Sequence, residues 1–107
     1  SGVEVAGAAT VTLEVIKGQH LEQPILENEE SFTQIASAKT LDEASKLATQ
    51  MMINRLVERT DMNISEVTML MIAVGQLEIC QVVDPLVTVR FVVPKWLLSQ
   101  LNVTLIG

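Results

Sequence analysis

The stretch AVGQLEICQVVDPLVTVRFVVPKW, Ala73–Trp96, decides the fold, because two apolar runs flank the polar side chains Gln76, Glu78, Gln81 and Asp84. On its C-terminal side the pattern has period two. Val87, Val89, Phe91 and Val93 fall on one face and Thr88 and Arg90 on the other, which predicts a strand. Pro94 lacks a backbone N–H and fits the first turn of a short helix through KWLLSQL, ending that strand. On the N-terminal side, apolar residues from Met69 to Val74 point every way round a helix, which predicts an element buried between others. Gly75 breaks or kinks that helix, and Asp84-Pro85 is a turn-forming pair. Between them, GQLEICQVVDP reads as the place where the second helix ends and hands over to the last strand.

Working outward, Asn63 and Glu66 form a capping box that starts this second helix, with Met62 placed to staple onto Val67. Upstream, KTLDEASKLATQMMINRLVERT carries Ala44, Leu47, Ala48, Met51, Met52 and Leu56 at spacings of three and four, the stripe of an amphipathic helix. Thr40 and Glu43 form its capping box. Before it, HLEQPILENEESFTQIAS suggests two strands around ENEE, with Pro24 suited to a sheet edge. From Val3 to Val15 the alternation is strict enough to predict a strand, interrupted at Gly7 by a bulge or a close backbone approach, and KGQ at 17–19 reads as a turn. Strand-rich and helix-rich segments are segregated. The expected fold is α+β, a mainly antiparallel sheet with a packed helix pair and a short C-terminal helix, over residues 1–107 as a single domain.

Composition bounds the function. Seven Lys and Arg against thirteen Asp and Glu give a net charge of −6, which leaves no basic surface for nucleic acid or an anionic membrane. No apolar run approaches the ~20 residues of a membrane-spanning helix, so a soluble protein is expected. The single Cys80 cannot form an internal disulfide, which suits a reducing cytoplasm. Neither a signal-type N-terminus nor an internal repeat is visible. Because alternation begins at Val3 with no frayed lead-in, the sequence is expected to be a piece of a longer chain. High apolar content with only three aromatics predicts area that an identical copy or another partner would cover.

The chemical residues admit two readings that spacing does not separate. Gln76, Glu78 and Gln81 are either the solvated face of a helix end, with Asp84 closing its own turn, or polar groups converging on a cleft that orients a small polar substrate. His20, the only histidine, has no partner ligand nearby and reads as a surface residue. Cys80 lies between Ile79 and Gln81 in an apolar stretch and reads as a packed thiol. ENEE lacks the spaced ligands and turn glycine of a calcium loop, so it reads as a solvated acidic turn and no metal site is expected. The five methionines, Met51, Met52, Met62, Met69 and Met71, read as core filler. There is no GxSxG, phosphate loop or GxGxxG.

Taken in order and at their distances, ATVTLEVIKG, TLDEASKLATQMM, AVGQLEICQVVDP and VPKWLL resemble the C-terminal part of the acetamidase/formamidase family. ICQVVDP followed closely by VPK is the most specific portion. The resemblance implies hydrolysis of formamide, acetamide or similar short amides to ammonia and a carboxylate, in an oligomeric enzyme, and leaves the cofactor unknown and any metal requirement open. Full-length members are several times longer, and their N-terminal part, with its His- and acid-containing motifs, has no counterpart here. Where the family commonly has an acidic residue after glycine, this chain has Gly75-Gln76. The resemblance therefore implies a partner in the form of a missing N-terminal catalytic portion, with Gln76, Gln81 and Asp84 as contributors to one wall of a site for a small amide. Such a chain is expected to be inactive alone.

Overall fold

The computed structural model describes residues 12–16, 23–83 and 86–105, with the backbone alone at 12–16 and 81–83. The element order is β1 (Thr12–Ile16), β2 (Gln23–Glu27), β3 (Ser31–Ala38), α1 (Leu41–Arg59), α2 (Ile64–Val74), β4 (Gln76–Val83), β5 (Leu86–Pro94) and α3 (Lys95–Leu101). The strands form one antiparallel sheet in the order β1-β2-β3-β5-β4. After β3 the chain runs through both long helices, lays β4 down at the far edge, and returns with β5 between β4 and β3. The α+β architecture with a helix pair and a short C-terminal helix is as the sequence predicts.

The β2–β3 pair forms where the sequence placed it. Asn28 closes the turn, its side-chain oxygen accepting from the backbone N–H of Glu30 at 2.8 Å and of Ser31 at 2.9 Å. That Asx geometry is why the acidic run folds back so tightly. Pro24 corrects an expectation, because β2 lies between β1 and β3 and is no edge strand. Pro24 is tolerated because it lies one residue beyond the last β2–β3 pair, opposite Val15, with its carbonyl accepting from the Gln34 side chain at 3.2 Å. The predicted strand before Thr12, the turn at 17–19 and His20 lie outside the described residues.

The nineteen residues of α1 span about 28 Å. The Thr40 hydroxyl caps it by accepting from the Glu43 N–H at 3.1 Å, but only this half of the expected box is formed. Both halves are formed at α2, where Asn63 and Glu66 each accept the other's backbone N–H at 2.9 Å. The small residues Ala44 and Ala48 bring α1 close to the sheet, and with Met52 and Leu56 they pack in one core with Ile25, Phe32, Ala36, Val89, Phe91 and Val93. Leu97 and Leu98 of α3, and Leu105 beyond it, close that core from the other end. One buried polar link crosses it. Gln34 is fully buried, and its Oε1 accepts from Arg55 Nη2 at 3.2 Å while Nη1 reaches the Leu105 carbonyl at 3.3 Å.

Two expectations fail here. The second helix is not buried on all sides: it inserts only Val67 and Met71, against α1 and β5, and leaves Met69 and Ile72 open to solvent. Met69 is accordingly no core filler, whereas Met51, Met52 and Met71 are. The stretch after Gly75 is not a helix end either. It is the strand β4, which the sequence reading did not contain.

Candidate functional site

Gly75 caps α2, donating its N–H to the Met71 carbonyl at 2.8 Å, and its backbone (φ −74°, ψ 156°) already follows the extended path of β4. The glycine is required by space, since a Cβ there would lie 2.5 Å from Cε1 of Phe91, a ring of the core. Helix and strand are therefore joined by a single residue, and β4 begins in a fixed phase. Gln76 pairs with Val92, Leu77 with Phe91, Glu78 with Arg90 and Ile79 with Val89. Phe91 and Val89 belong to the helix-covered core, so Leu77 and Ile79 share that face while Gln76 and Glu78 lie on the outer one.

A bulge then shifts the register between Ile79 and Gln81, with Cys80 as the extra residue, and residue 81 pairs with Thr88. Strict alternation would put positions 76 and 81 on opposite faces. The bulge brings position 81 onto the outer register row with Gln76, Glu78, Thr88 and Arg90. Arg90 donates to Glu78 across the strands at 2.7 Å, and the hydroxyls of Thr88 and Ser37 are 2.8 Å apart on the next row. Beyond them the Ser37 N–H donates to Gln23 Oε1 at 3.3 Å. The result is a polar band across β4, β5 and β3, on the outer face of the sheet.

Of the sequence-predicted site residues, Gln76 is exposed at one end of this band, and the backbone of Gln81 lies further along it. Asp84 lies outside the described residues. Cys80 corrects an expectation, because it is exposed, not packed. Partial burial of the thiol nevertheless pushes its pKa up; Arg90 pulls it back and the Glu78 carboxylate pushes it further up. A thiol so placed is protonated at neutral pH and is a poor nucleophile. The Glu78–Arg90 pairing, which the sequence reading did not make, is the shortest polar contact of the band.

A shallow hollow lies elsewhere, on the helix side, lined by Glu58, Arg59, Thr60, Asp61, Met62, Leu101 and Asn102. Two of its polar groups are engaged: Arg59 donates to the Thr104 carbonyl at 2.8 Å and the Thr60 hydroxyl to the Leu56 carbonyl at 2.8 Å. Gln76 is not among its lining residues. Among the described residues no group of three or more His, Cys, Asp or Glu side chains is arranged to hold a metal ion, and no helix is long and apolar enough to cross a membrane.

Solved structures resemble this chain over most of its length. A recombinant predicted acetamidase/formamidase from the thermophile Thermoanaerobacter tengcongensis is 37% identical with a TM-score of 0.74, over 85% of this chain and 30% of that one. An acetamidase from Bacillus halodurans is 38% identical with a TM-score of 0.73, over 79% and 29% of the two chains. An acetamidase from Yersinia enterocolitica is 32% identical with a TM-score of 0.67, over 78% and 25%. No family model and no curated protein matches the chain. The chain thus spans less than a third of the length of the structures it resembles, and is a partial relative of acetamidase/formamidase structures, as its separated motifs imply.

Proposed function

We propose that this partial relative of acetamidase/formamidase structures is the C-terminal domain, or a free-standing relative, of an amidohydrolase that converts short aliphatic amides such as formamide and acetamide to ammonia and a carboxylate, and that it does not turn over alone. The observation that carries this reading is shared sequence and backbone over most of this chain with proteins named acetamidase, against less than a third of their length. Amide hydrolysis needs three things: an activated water or nucleophile, a donor for the departing nitrogen, and a stabiliser for the tetrahedral oxyanion. The outer band offers groups suited to positioning. The Gln76 amide can donate to a substrate carbonyl and accept from its N–H, but it takes up no proton at neutral pH. Glu78 is held by Arg90 and Cys80 is kept protonated, so neither is prepared as a base or nucleophile. In this reading Gln76, Gln81 and Asp84 form one wall of a site whose proton-transferring groups come from a further polypeptide segment.

Ammonia release from formamide and acetamide tests it. The purified chain is expected to give none above the uncatalysed rate, and a longer polypeptide carrying the additional length of the relatives is expected to turn over. Turnover by the short chain, lost on Gln76→Ala, would overturn the reading. A second reading, a non-catalytic module that associates with itself, is favoured by the exposed Met69 and Ile72 of α2.

A further inference from the structure

Glu78 and Arg90 face each other across β4 and β5 on the outer side of the sheet, and their bond uses one atom of each, Arg90 Nε donating to Glu78 Oε1 at 2.7 Å. Arginine and carboxylate often meet through two parallel bonds, which would use up the facing edges of both groups. Here only one is made. Among the described residues the Nη amines of Arg90 and Oε2 of Glu78 enter no hydrogen bond, and the two side chains remain 40% and 35% exposed. A donor and an acceptor are thus left over, and covalent geometry keeps both close to the bond that fixes the pair. Their neighbours on this face are suited to a small polar ligand. Gln76 is exposed on the adjoining row, opposite the half-buried Val92. On the other side Thr88 and Ser37 bond each other at 2.8 Å, which uses one hydroxyl hydrogen and leaves the second.

We propose that the Glu78–Arg90 pair is the subsite that reads the amide group of a short primary amide. Such an amide presents along one edge a carbonyl oxygen that accepts and, beside it, an N–H that donates. An Nη amine of Arg90 donates to that oxygen and Oε2 of Glu78 accepts that N–H, while Gln76 accepts the remaining N–H and Val92 meets the methyl group of acetamide. The charges of the pair cancel, which favours a neutral ligand. A carboxylate, the product of amide hydrolysis, carries two acceptors and no N–H, so it would set one oxygen against Oε2 and bring two like charges together. The subsite therefore holds substrate and lets product go. No covalent bond changes at it; Glu78 and Arg90 orient the carbonyl for proton-transferring groups supplied elsewhere. The inference rests on the amidase reading for its substrate class and adds to it the residues that select the substrate.

Titration of the isotope-labelled chain with acetamide and, at matched ionic strength, with sodium acetate tests it, followed in proton–nitrogen correlation spectra. Acetamide is expected to shift the Arg90 Nε–H and the backbone N–H groups of Gln76, Glu78 and Arg90 to a plateau, with acetate bound about tenfold more weakly because it leaves Oε2 facing an acceptor. Glu78→Gln, whose side chain also donates, is expected to abolish that preference, and Arg90→Lys, which lacks the planar fork, to weaken acetamide about tenfold. Shifts that rise without a plateau overturn the proposal, as does a wild-type chain that binds acetate as well as acetamide. A preference that survives Glu78→Gln, or acetamide binding indifferent to Arg90→Lys, equally overturns it; the wild-type comparison stands by itself where a variant fails to fold. Turnover is not read. A longer polypeptide that releases no ammonia therefore sinks the amidase reading and leaves the titration standing, whereas a flat titration beside an active longer polypeptide removes the subsite alone.

Discussion

Gly75→Ala is a small change with a large expected cost, and the cost can be worked from the geometry. The backbone at Gly75 suits any L residue, so no strain arises from its dihedral angles. The new methyl would lie 2.5 Å from Phe91 Cε1, closer still to Cζ, and 2.7 Å from the Met71 carbonyl oxygen. Carbon atoms attract best at about 3.5–4.0 Å, so each ring contact is more than about 1 Å too short. Phe91 is buried in the core and cannot swing away freely, and the Met71 carbonyl is the acceptor of the bond that ends α2. Overpacking of this kind costs about 1–3 kcal/mol. Weakening the terminal helix bond adds about 0.5–1 kcal/mol. A total of about 1.5–4 kcal/mol corresponds to a fall in Tm of about 6–30 °C for a chain of this size. Thermal and urea unfolding followed by circular dichroism measure it. The decisive assay is a double-mutant cycle with Phe91→Leu, which shortens the ring the methyl strikes. If the clash is the cause, Gly75→Ala/Phe91→Leu is more stable than the sum of the single changes predicts, by about 1 kcal/mol or more. A neutral Gly75→Ala, or strictly additive losses, would refute the claim that space under Phe91 fixes the junction of α2 and β4.

Arg55→Leu removes the donors to Gln34 and to the Leu105 carbonyl, together with a guanidinium 5.4 Å above the Phe32 ring. It should cost about 2–3 kcal/mol and speed amide exchange at residues 103–105, and unchanged exchange there would show that the arginine does not hold the segment down. The double change Asn63→Ala/Glu66→Ala, which dismantles both halves of a capping box, should cost about 1–2 kcal/mol against about 0.5–1 kcal/mol for Thr40→Ala, where one half exists; equal losses in urea unfolding would contradict this. Cys80, although exposed, should alkylate with iodoacetamide more slowly than a free thiol at pH 8, because burial and Glu78 disfavour its thiolate. Arg90→Gln removes the group that lowers its pKa and should slow the reaction further; a faster reaction would reverse the assigned sign.

What the sequence made legible was local. Thr40 and Asn63 announce helix starts because a capping side chain reaches only three residues ahead, and the period-two run through Val93 announces β5 because alternation is a property of one strand. The exposure of α2 was not legible for the converse reason. An apolar residue at every angle of a helix states how much surface would gain from cover, not how many neighbours the topology supplies, and α2 receives them along the Val67–Met71 stripe while Met69 and Ile72 face outward.

β4 was hidden by a different mechanism, and the candidate site was hidden with it. Gln76, Leu77, Glu78 and Ile79 alternate, but Cys80 inserts an extra residue and breaks the pattern after four positions, too few to outweigh the helical run ending at Val74. Once that strand is missing, Gln76 and Gln81 have no common face and Glu78 has no partner, because Arg90 is twelve residues away. The missing signal was nevertheless in the sequence. If Asp84-Pro85 is taken as the reversal of a hairpin instead of the end of a helix, folding the chain about it sets Glu78 close to Arg90 and the residues near Gln81 close to Thr88. Opposite charges facing each other across such a reversal are what a cross-strand pair requires. The polar band is therefore a consequence of pairing between strands, and a reading that takes each segment alone can name its residues without seeing that they share a surface.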